Sequence, residues 1–326
     1  MKAVFQSIAH AVPDKVLSNA DLERLVDTSD EWIVQRTGIR ERRISEPEET
    51  TASLAISASQ KCLTQAQLDP EDLDLIICGT VTGDYYFPST SCLVQQAIGA
   101  RNAGVFDLGA ACAGFIYSVS VATAMIESGQ VRNALVIGGD VLSKFVDWTD
   151  RGTCVLFGDG AGAALLSAHE GNDRGVLKSV LMADGCGAKL IGVEQGGSRY
   201  PFGSPISTGR GTKIFMAGSE VYRFAVNAIG DVCCRALESA GLNSDDIDLF
   251  VPHQANLRII ESAAKRLELP PEKVFVNVHK YGNTSGGSIP IALSEAAETG
   301  RLQPGMIVVT VGFGAGLVWG ANVIRW

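Results

Sequence analysis

Three side chains far apart in this chain could do chemistry: the thiol of Cys112, the imidazole of His253 and the carboxamide of Asn283. Cys112 lies in residues 106–125, FDLGAACAGFIYSVSVATAM. Gly109, Ala110 and Ala111 let the chain turn sharply, and Ala113, Gly114, Ser118, Ser120 and Ala122 let the helix that follows pack closely in a core. The thiol therefore falls at or near a helix N-terminus, where unpaired N–H groups and the helix dipole favour a thiolate. A thiol so placed suits a nucleophile, although free cysteine is also a common small core residue. The sequence has eight cysteines, with no C-x-x-C pair and no histidine at metal-ligand spacing. They read as reduced core thiols, with no metal site and no disulfide framework. Only four histidines occur, at positions 10, 169, 253 and 279. His253 follows an expected strand at 248–252, whereas His10, His169 and His279 have no comparable partner and read as structural or surface residues.

The elements that must position these groups alternate in type. Apolar runs predict strands at 73–78, 103–109, 134–138, 248–252 and 306–311, and apolar periodicity predicts helices at 51–66, 89–98, 112–127 and 216–240. Residues 15–50 read as helices and loops, with a turn at Thr37-Gly38-Ile39-Arg40. Such alternation argues for a mostly parallel sheet with helices on both faces. The pattern occurs twice. LDPEDLDLIICGT at 68–80 matches LNSDDIDLFVPHQ at 242–254, with Asp74 and Asp248 offset by 174 residues. Residues 111–116 match 284–289 at an offset of 173, and Gly160-Ala161-Gly162 matches Gly314-Ala315-Gly316 at 154. The shared order argues for an internal duplication, with about twenty extra residues in the first half near 140–158. The two units divide as 1–173, carrying Cys112, and 174–326, carrying His253 and Asn283. A Gly/Ser/Pro-rich stretch at 184–212 is long for a loop, which marks it as functional or mobile.

In open α/β sheets, ligands gather beyond the carboxyl ends of the strands. Cys112, His253, Asn283 and the glycine turn at 312–316 all fall near such ends or beside the matching helix, so two halves packed about a pseudo-twofold can bring them to one pocket. There the thiolate would attack a thioester carbonyl and keep the acyl group. His253 and Asn283 would donate hydrogen bonds to a second thioester oxygen, which becomes negative when a malonyl group loses CO2. The Cys112 N–H and an N–H from the 314–316 turn would hold the first oxyanion. Gly158-x-Gly160-x-Gly162 lacks the strand–turn–helix setting and later acidic residue of a dinucleotide site.

The 326 residues are 46% hydrophobic and 19% charged, a globular composition with ample core. A net charge of −9 argues against nucleic-acid binding. Two basic groupings, Arg36/Arg40/Arg42/Arg43 and Arg258/Lys265/Arg266, are either solvated surface or anion sites. No apolar run is long enough to span a bilayer and no secretion signal opens the chain, so a cytoplasmic protein without a membrane role is expected.

The motifs DTSDEWIVQRTGIRER (27–42), GAACAGF (109–115), DRGTCVLFGDGAGA (150–163), VPHQANLRII (251–260), HKYGNTSGGSIP (279–290) and GFGAGLVWG (312–320) run in order along the chain. In them the sequence resembles the β-ketoacyl-[acyl-carrier-protein] synthase III family of thiolase-like condensing enzymes. The resemblance implies an α/β thiolase-like fold of two duplicated halves in an α-β-α-β-α layering. It implies a Cys112–His253–Asn283 triad, with Ala315 at the oxyanion turn where relatives often have glycine. By the same resemblance Thr28, Trp32, Arg36, Arg151, Gly218, Ala255 and Asn256 bind CoA, with Trp32 and Arg151 on the adenine. Arg223, Arg258, Lys265 and Arg266 form the carrier-protein patch, and Phe87 and Phe313 bound the primer pocket, Phe87 from across a homodimer. The implied reaction starts type II fatty-acid synthesis: a short acyl-CoA loads Cys112, and malonyl-[acyl-carrier protein] decarboxylates and condenses with it. No cofactor beyond the acyl-CoA substrate is implied. A specialised-metabolite condensing enzyme of the same fold, taking another primer, is the alternative.

Overall fold

The computed structural model describes residues 1–204 and 211–326. Nine strands build its two main sheets: β1 (Lys2–Ala11), β2 (Leu75–Gly79), β3 (Gly104–Leu108), β4 (Asn133–Val141), β5 (Asp159–His169), β6 (Gly175–Ala183), β7 (Leu249–Pro252), β8 (Ile307–Gly314) and β9 (Val318–Arg325). The first sheet runs β1-β5-β4-β2-β3 and the second β7-β8-β9-β6. An isolated parallel bridge from Phe250 to Val274 stands where a fifth strand would lie beside β7. The two orders superpose position for position, β1 on β6, β5 on β9, β4 on β8 and β2 on β7. The strands of one sheet all come from residues 2–169 and those of the other from 175–325, which supports a proposed division at 173/174.

Both sheets are mixed rather than mostly parallel. The β2/β3, β2/β4 and β7/β8 pairs are parallel, while β5 pairs antiparallel with β1 and β4, and β9 with β8 and β6. A parallel neighbour needs a crossover, usually helical. Only a 3-10 turn, Leu142–Lys144, lies between β4 and β5, and a short turn joins β8 to β9.

Two pseudo-equivalent helices, α4 (Gly114–Glu127) and α7 (Ser288–Glu298), lie between the sheets and contact both. Phe115, Ile116, Val119, Ile126, Ile289 and Leu293 form this middle core with Ile77, Val136, Val251 and Val308. Outside the first sheet pack α2 (Thr51–Ala66) and α3 (Thr90–Ile98), and outside the second α5 (Gly218–Ser239) and α6 (Leu257–Arg266). The helix at 51–66 forms where its apolar period predicts, opened by a capping box from Thr50 and Ser53. A further helix, α1 (Asp30–Thr37), is capped by Ser29 and ended by Gly38 at φ +77°.

The duplication has a single register around the middle helices. Each is preceded by a 3-10 turn, Ala111–Ala113 or Ser285–Gly287, whose first residue is left-handed, Ala111 at φ +46° and Ser285 at +49°. The offset is 174 here too, not 173, so the counterpart of Cys112 is Gly286. The small residues of ACAG and SGGS match almost as well one step out of register, which is why composition alone misplaced them.

Candidate active site

Cys112 is the second residue of the 3-10 turn that leads into α4, so its N–H is among those a helix start leaves without an intrahelical partner. Gly314, at the end of β8, lies directly on it: a Cβ there would stand 2.6 Å from the Cys112 nitrogen and 2.9 Å from the Ala111 Cβ. This close approach is what requires glycine at 314. The helix start does not win at the sulfur. Burial pushes the Cys112 thiol up to about 12, buried Asp140 adds to the rise, and a hydrogen bond from the Ser285 side chain offsets only part of it. The resting form is therefore the thiol, contrary to the thiolate expected from position alone.

His253 follows β7 and is 3% exposed. Its backbone N–H donates to Val311 at 2.7 Å, tying it to β8. Its Nδ1 is 2.5 Å from the Ser288 hydroxyl, and its ring meets Phe313 edge-on at 5.4 Å and 69°. Burial holds the imidazole down to about 3, so it is neutral near pH 7. Gln254 clamps the segment, donating to the Pro252 and Phe275 carbonyls and accepting from the Asn277 and Val278 amides.

Asn283 is 8% exposed and held by backbone bonds to Leu156 and Gly158. Its Oδ1 accepts from the Ser285 N–H at 2.9 Å, leaving the Nδ2 hydrogens to face outward from the turn. Asp140, fully buried, fixes that turn from the other half. It accepts from the Gly286 N–H at 3.1 Å and, on its second oxygen, from Thr80, Val81 and Thr82.

These groups meet. One cavity of about 290 Å³ is walled by Cys112, His253, Asn283, Phe313, Gly314 and Ala315, and also by Trp32, Arg36, Arg151, Gly218, Ala255 and Asn256. Trp32 carries two guanidiniums, Arg151 at 5.1 Å and Arg36 at 5.6 Å from its ring centre. Arg151 also donates to the Asp27 carbonyl at 2.7 Å. Asn256 is largely occupied: its oxygen caps α6 at the Arg258 N–H and its amide donates to the Arg36 carbonyl.

Other expected residues lie elsewhere. Thr28 is not in the cavity wall, and its buried hydroxyl has no hydrogen-bond partner among the described residues. Phe87 is 86% exposed and outside the cavity of its own chain. Arg223, Arg258, Lys265 and Arg266 are exposed, outside the cavity. Arg258 lies over the Tyr222 ring at 5.4 Å, and Arg266 pairs with Asp231. Arg42 is no surface cation: it is fully buried and donates to Leu17, Asn19 and Val155. Of the 184–212 stretch, Ile191–Val193 pairs with Ile214–Met216, Ile191 reaches the cavity wall, and residues 205–210 lie outside the described residues. Sequence reasoning passed over Ser285, Ser288, Gln254 and Asp140. The two serines adjoin Asn283 in one motif, whereas nothing local marked Asp140.

Duplicated halves that bring a half-buried cysteine and a buried histidine and asparagine to one cavity define the class of thiolase-like condensing acyltransferases. Residues 106–185 match the family model described as 3-oxoacyl-[acyl-carrier-protein] synthase III, and residues 237–326 match the model for its C-terminal part. The chain is 55% identical over 318 residues to a β-ketoacyl-[acyl-carrier-protein] synthase III of Symbiobacterium thermophilum, covering 97% of this chain and 96% of that one. It is 51% identical over 315 residues to one from Caldanaerobacter subterraneus subsp. tengcongensis, covering 97% and 95%. The crystal structure of 3-oxoacyl-[acyl-carrier-protein] synthase III from Aquifex aeolicus superposes with a TM-score of 0.92 at 44% identity, covering 99% of this chain and all of that one. The chain belongs to the β-ketoacyl-[acyl-carrier-protein] synthase III family, the condensing enzymes that initiate fatty-acid synthesis.

Proposed function

We propose that Cys112, His253 and Asn283 carry the two half-reactions of a decarboxylative condensation between a short acyl-CoA and malonyl-[acyl-carrier protein]. The observation that carries this reading is the single cavity that all three side chains wall. In the first half-reaction the Cys112 sulfur attacks the acyl-CoA carbonyl, its proton leaves with the CoA sulfur, and a cysteine thioester remains. The N–H groups of Cys112 and Ala315 receive the oxyanion. In the second, His253 and Asn283 donate to the malonyl thioester oxygen. The bond to the carboxylate breaks, CO2 leaves, and the electron pair passes into the enolate. The enolate carbon then attacks the acyl carbonyl, the carbon–sulfur bond breaks to release the Cys112 thiolate as the 3-oxoacyl product forms, and a proton from solvent restores the thiol. A neutral His253 and an Asn283 whose oxygen is already engaged both fit the donor role.

The exposed end of the cavity supports CoA binding by Trp32, Arg36 and Arg151, since an indole and a guanidinium can clamp a purine. The two already stack on each other, so a base entering between them must part them. Thr28 is the weakest of the CoA assignments. For the acidic carrier protein, Arg223, Arg258 and Lys265 remain accessible, while Arg266 is engaged by Asp231. Phe313 bounds the buried end, in keeping with a short primer, acetyl or small branched. Exposed Tyr85, Tyr86 and Phe87 are consistent with a homodimer in which Phe87 completes a partner's pocket. The reading needs no cofactor and no metal, and a cytoplasmic setting belongs to it. No described helix is long and apolar enough to cross a membrane.

The test separates the two steps. Replacing His253 or Asn283 by alanine should lower decarboxylation about 100-fold or more while leaving acylation of Cys112 within about tenfold. Equal loss of both steps would show that these roles are misassigned.

A further inference from the structure

The serine beside the triad has no role in the reaction so far. Ser288 opens α7, is 2% exposed, and sits 2.5 Å from His253 Nδ1. Its oxygen also receives the Gln254 backbone N–H, a longer contact at 3.4 Å. An amide N–H can only donate, so the serine oxygen is the acceptor there. The hydroxyl hydrogen must then find an acceptor elsewhere, and Nδ1 is the other polar atom bonded to it among the described residues. Were Nδ1 protonated and donating, that hydrogen would be stranded in a buried site.

The duplication underlines the pair. At the 174-residue offset the counterparts of His253 and Ser288 are Gly79 and Gly114, and in the first half these two backbones pack directly on each other. A Cβ on Gly79 would lie 2.6 Å from the Gly114 carbonyl carbon. One half closes this strand-to-helix junction with bare backbone, while the other fills it with an imidazole and a hydroxyl. The Gln254 clamp and the Phe313 edge keep the imidazole from withdrawing.

We infer that Ser288 is a positioning residue that donates its hydroxyl to His253 Nδ1 and so keeps the single imidazole proton on Nε2. Nε2 has no hydrogen bond among the described residues, and His253 stands in the cavity wall. Burial keeps the ring neutral, so it holds one N–H, and this bond decides which nitrogen carries it. The inference rests on the proposed donor role of His253, which works only from the Nε2–H form.

The tautomer is read directly by long-range ¹H–¹⁵N correlation on histidine-labelled protein, with the His253 signals assigned by their loss in His253→Gln. The wild-type protein should show a protonated Nε2 and a bare Nδ1. Ser288→Ala should gain an Nδ1–H population and lose malonyl decarboxylation by about tenfold to 100-fold, with Cys112 acylation within about threefold. Ser288→Thr, which keeps the hydroxyl, should return both readouts toward wild type. A wild-type Nδ1–H, an unchanged decarboxylation rate in Ser288→Ala, or equal loss of both steps overturns the inference. Nε2–H in a wild-type protein that performs neither step would instead sink the functional reading and leave the tautomer assignment standing.

Discussion

Gly314→Ala tests how the second half positions Cys112, the proposed nucleophile, in the first. The added Cβ would lie 2.6 Å from the Cys112 nitrogen, 2.9 Å from the Ala111 Cβ and 3.3 Å from the Cys112 Cα. Ordinary carbon contact begins near 3.4 Å, so strand β8 and the Cys112 turn must part by about 0.8 Å. The atoms in the way are backbone and one alanine Cβ, which has no rotamer to change, so nothing can swing aside. Overpacking of this kind destabilises by about 1–3 kcal/mol. A misplacement near 1 Å at a reacting group lowers the rate by about 100-fold. Gly312→Ala supplies a graded comparison: its Cβ would meet the Cys112 oxygen and the Ile289 Cδ1 at 3.3 Å, a tightness relieved by a few tenths of an ångström. Its loss should stay below about tenfold. Single-turnover acylation followed by intact-protein mass spectrometry, alongside thermal unfolding, measures both effects. Acylation of Gly314→Ala within about threefold of wild type, or a Gly312→Ala loss as large as that of Gly314→Ala, would refute the claim that this contact sets the geometry.

Trp32→Ala should raise KM for acyl-CoA roughly 2- to 30-fold, the range of a cation–π stacking partner, while leaving the rate with an acyl donor that lacks the nucleotide unchanged. Steady-state kinetics with the two donors checks this. The pH dependence follows from His253, held at about 3 against an ordinary 6.5. Between those values the unfolded chain binds the proton more readily, so this contribution is complete above 6.5 and is lost as the pH falls toward 3, by on the order of a few kcal/mol. Denaturant titrations across that window should show the decline. The same neutrality predicts no step near pH 6.5 in the decarboxylation rate that His253 causes.

Much of this was legible in the residues. Apolar runs such as ALVIG and LDLIIC mark buried strands, and an apolar period places the helix at 51–66. The repeat disclosed that distant segments converge, because duplicated halves must pack on each other's middle helix. What failed depended on depth and partners, which local pattern does not encode. Position near a helix start argued for a thiolate at Cys112, but burial outweighs it. Arg42 reads in RERR as a solvated or an anion-binding charge, yet it is buried and donates to the carbonyls of Leu17 and Val155. Strand–helix alternation suggests parallel pairing, but the 17 residues between β4 and β5 hold only a 3-10 turn, and β5 returns antiparallel to β4. Asp140 went unnoticed because its partner, the Gly286 amide, is 146 residues away.

Intact-mass and peptide mapping of the chain after mixing with acetyl-CoA tests the central claim most directly. The account predicts one acetyl adduct, on Cys112, absent from Cys112→Ala and discharged by malonyl-[acyl-carrier protein]. A wild-type protein in which Cys112 stays unmodified while another thiol, such as exposed Cys186, carries a stable adduct that also forms in Cys112→Ala would contradict it.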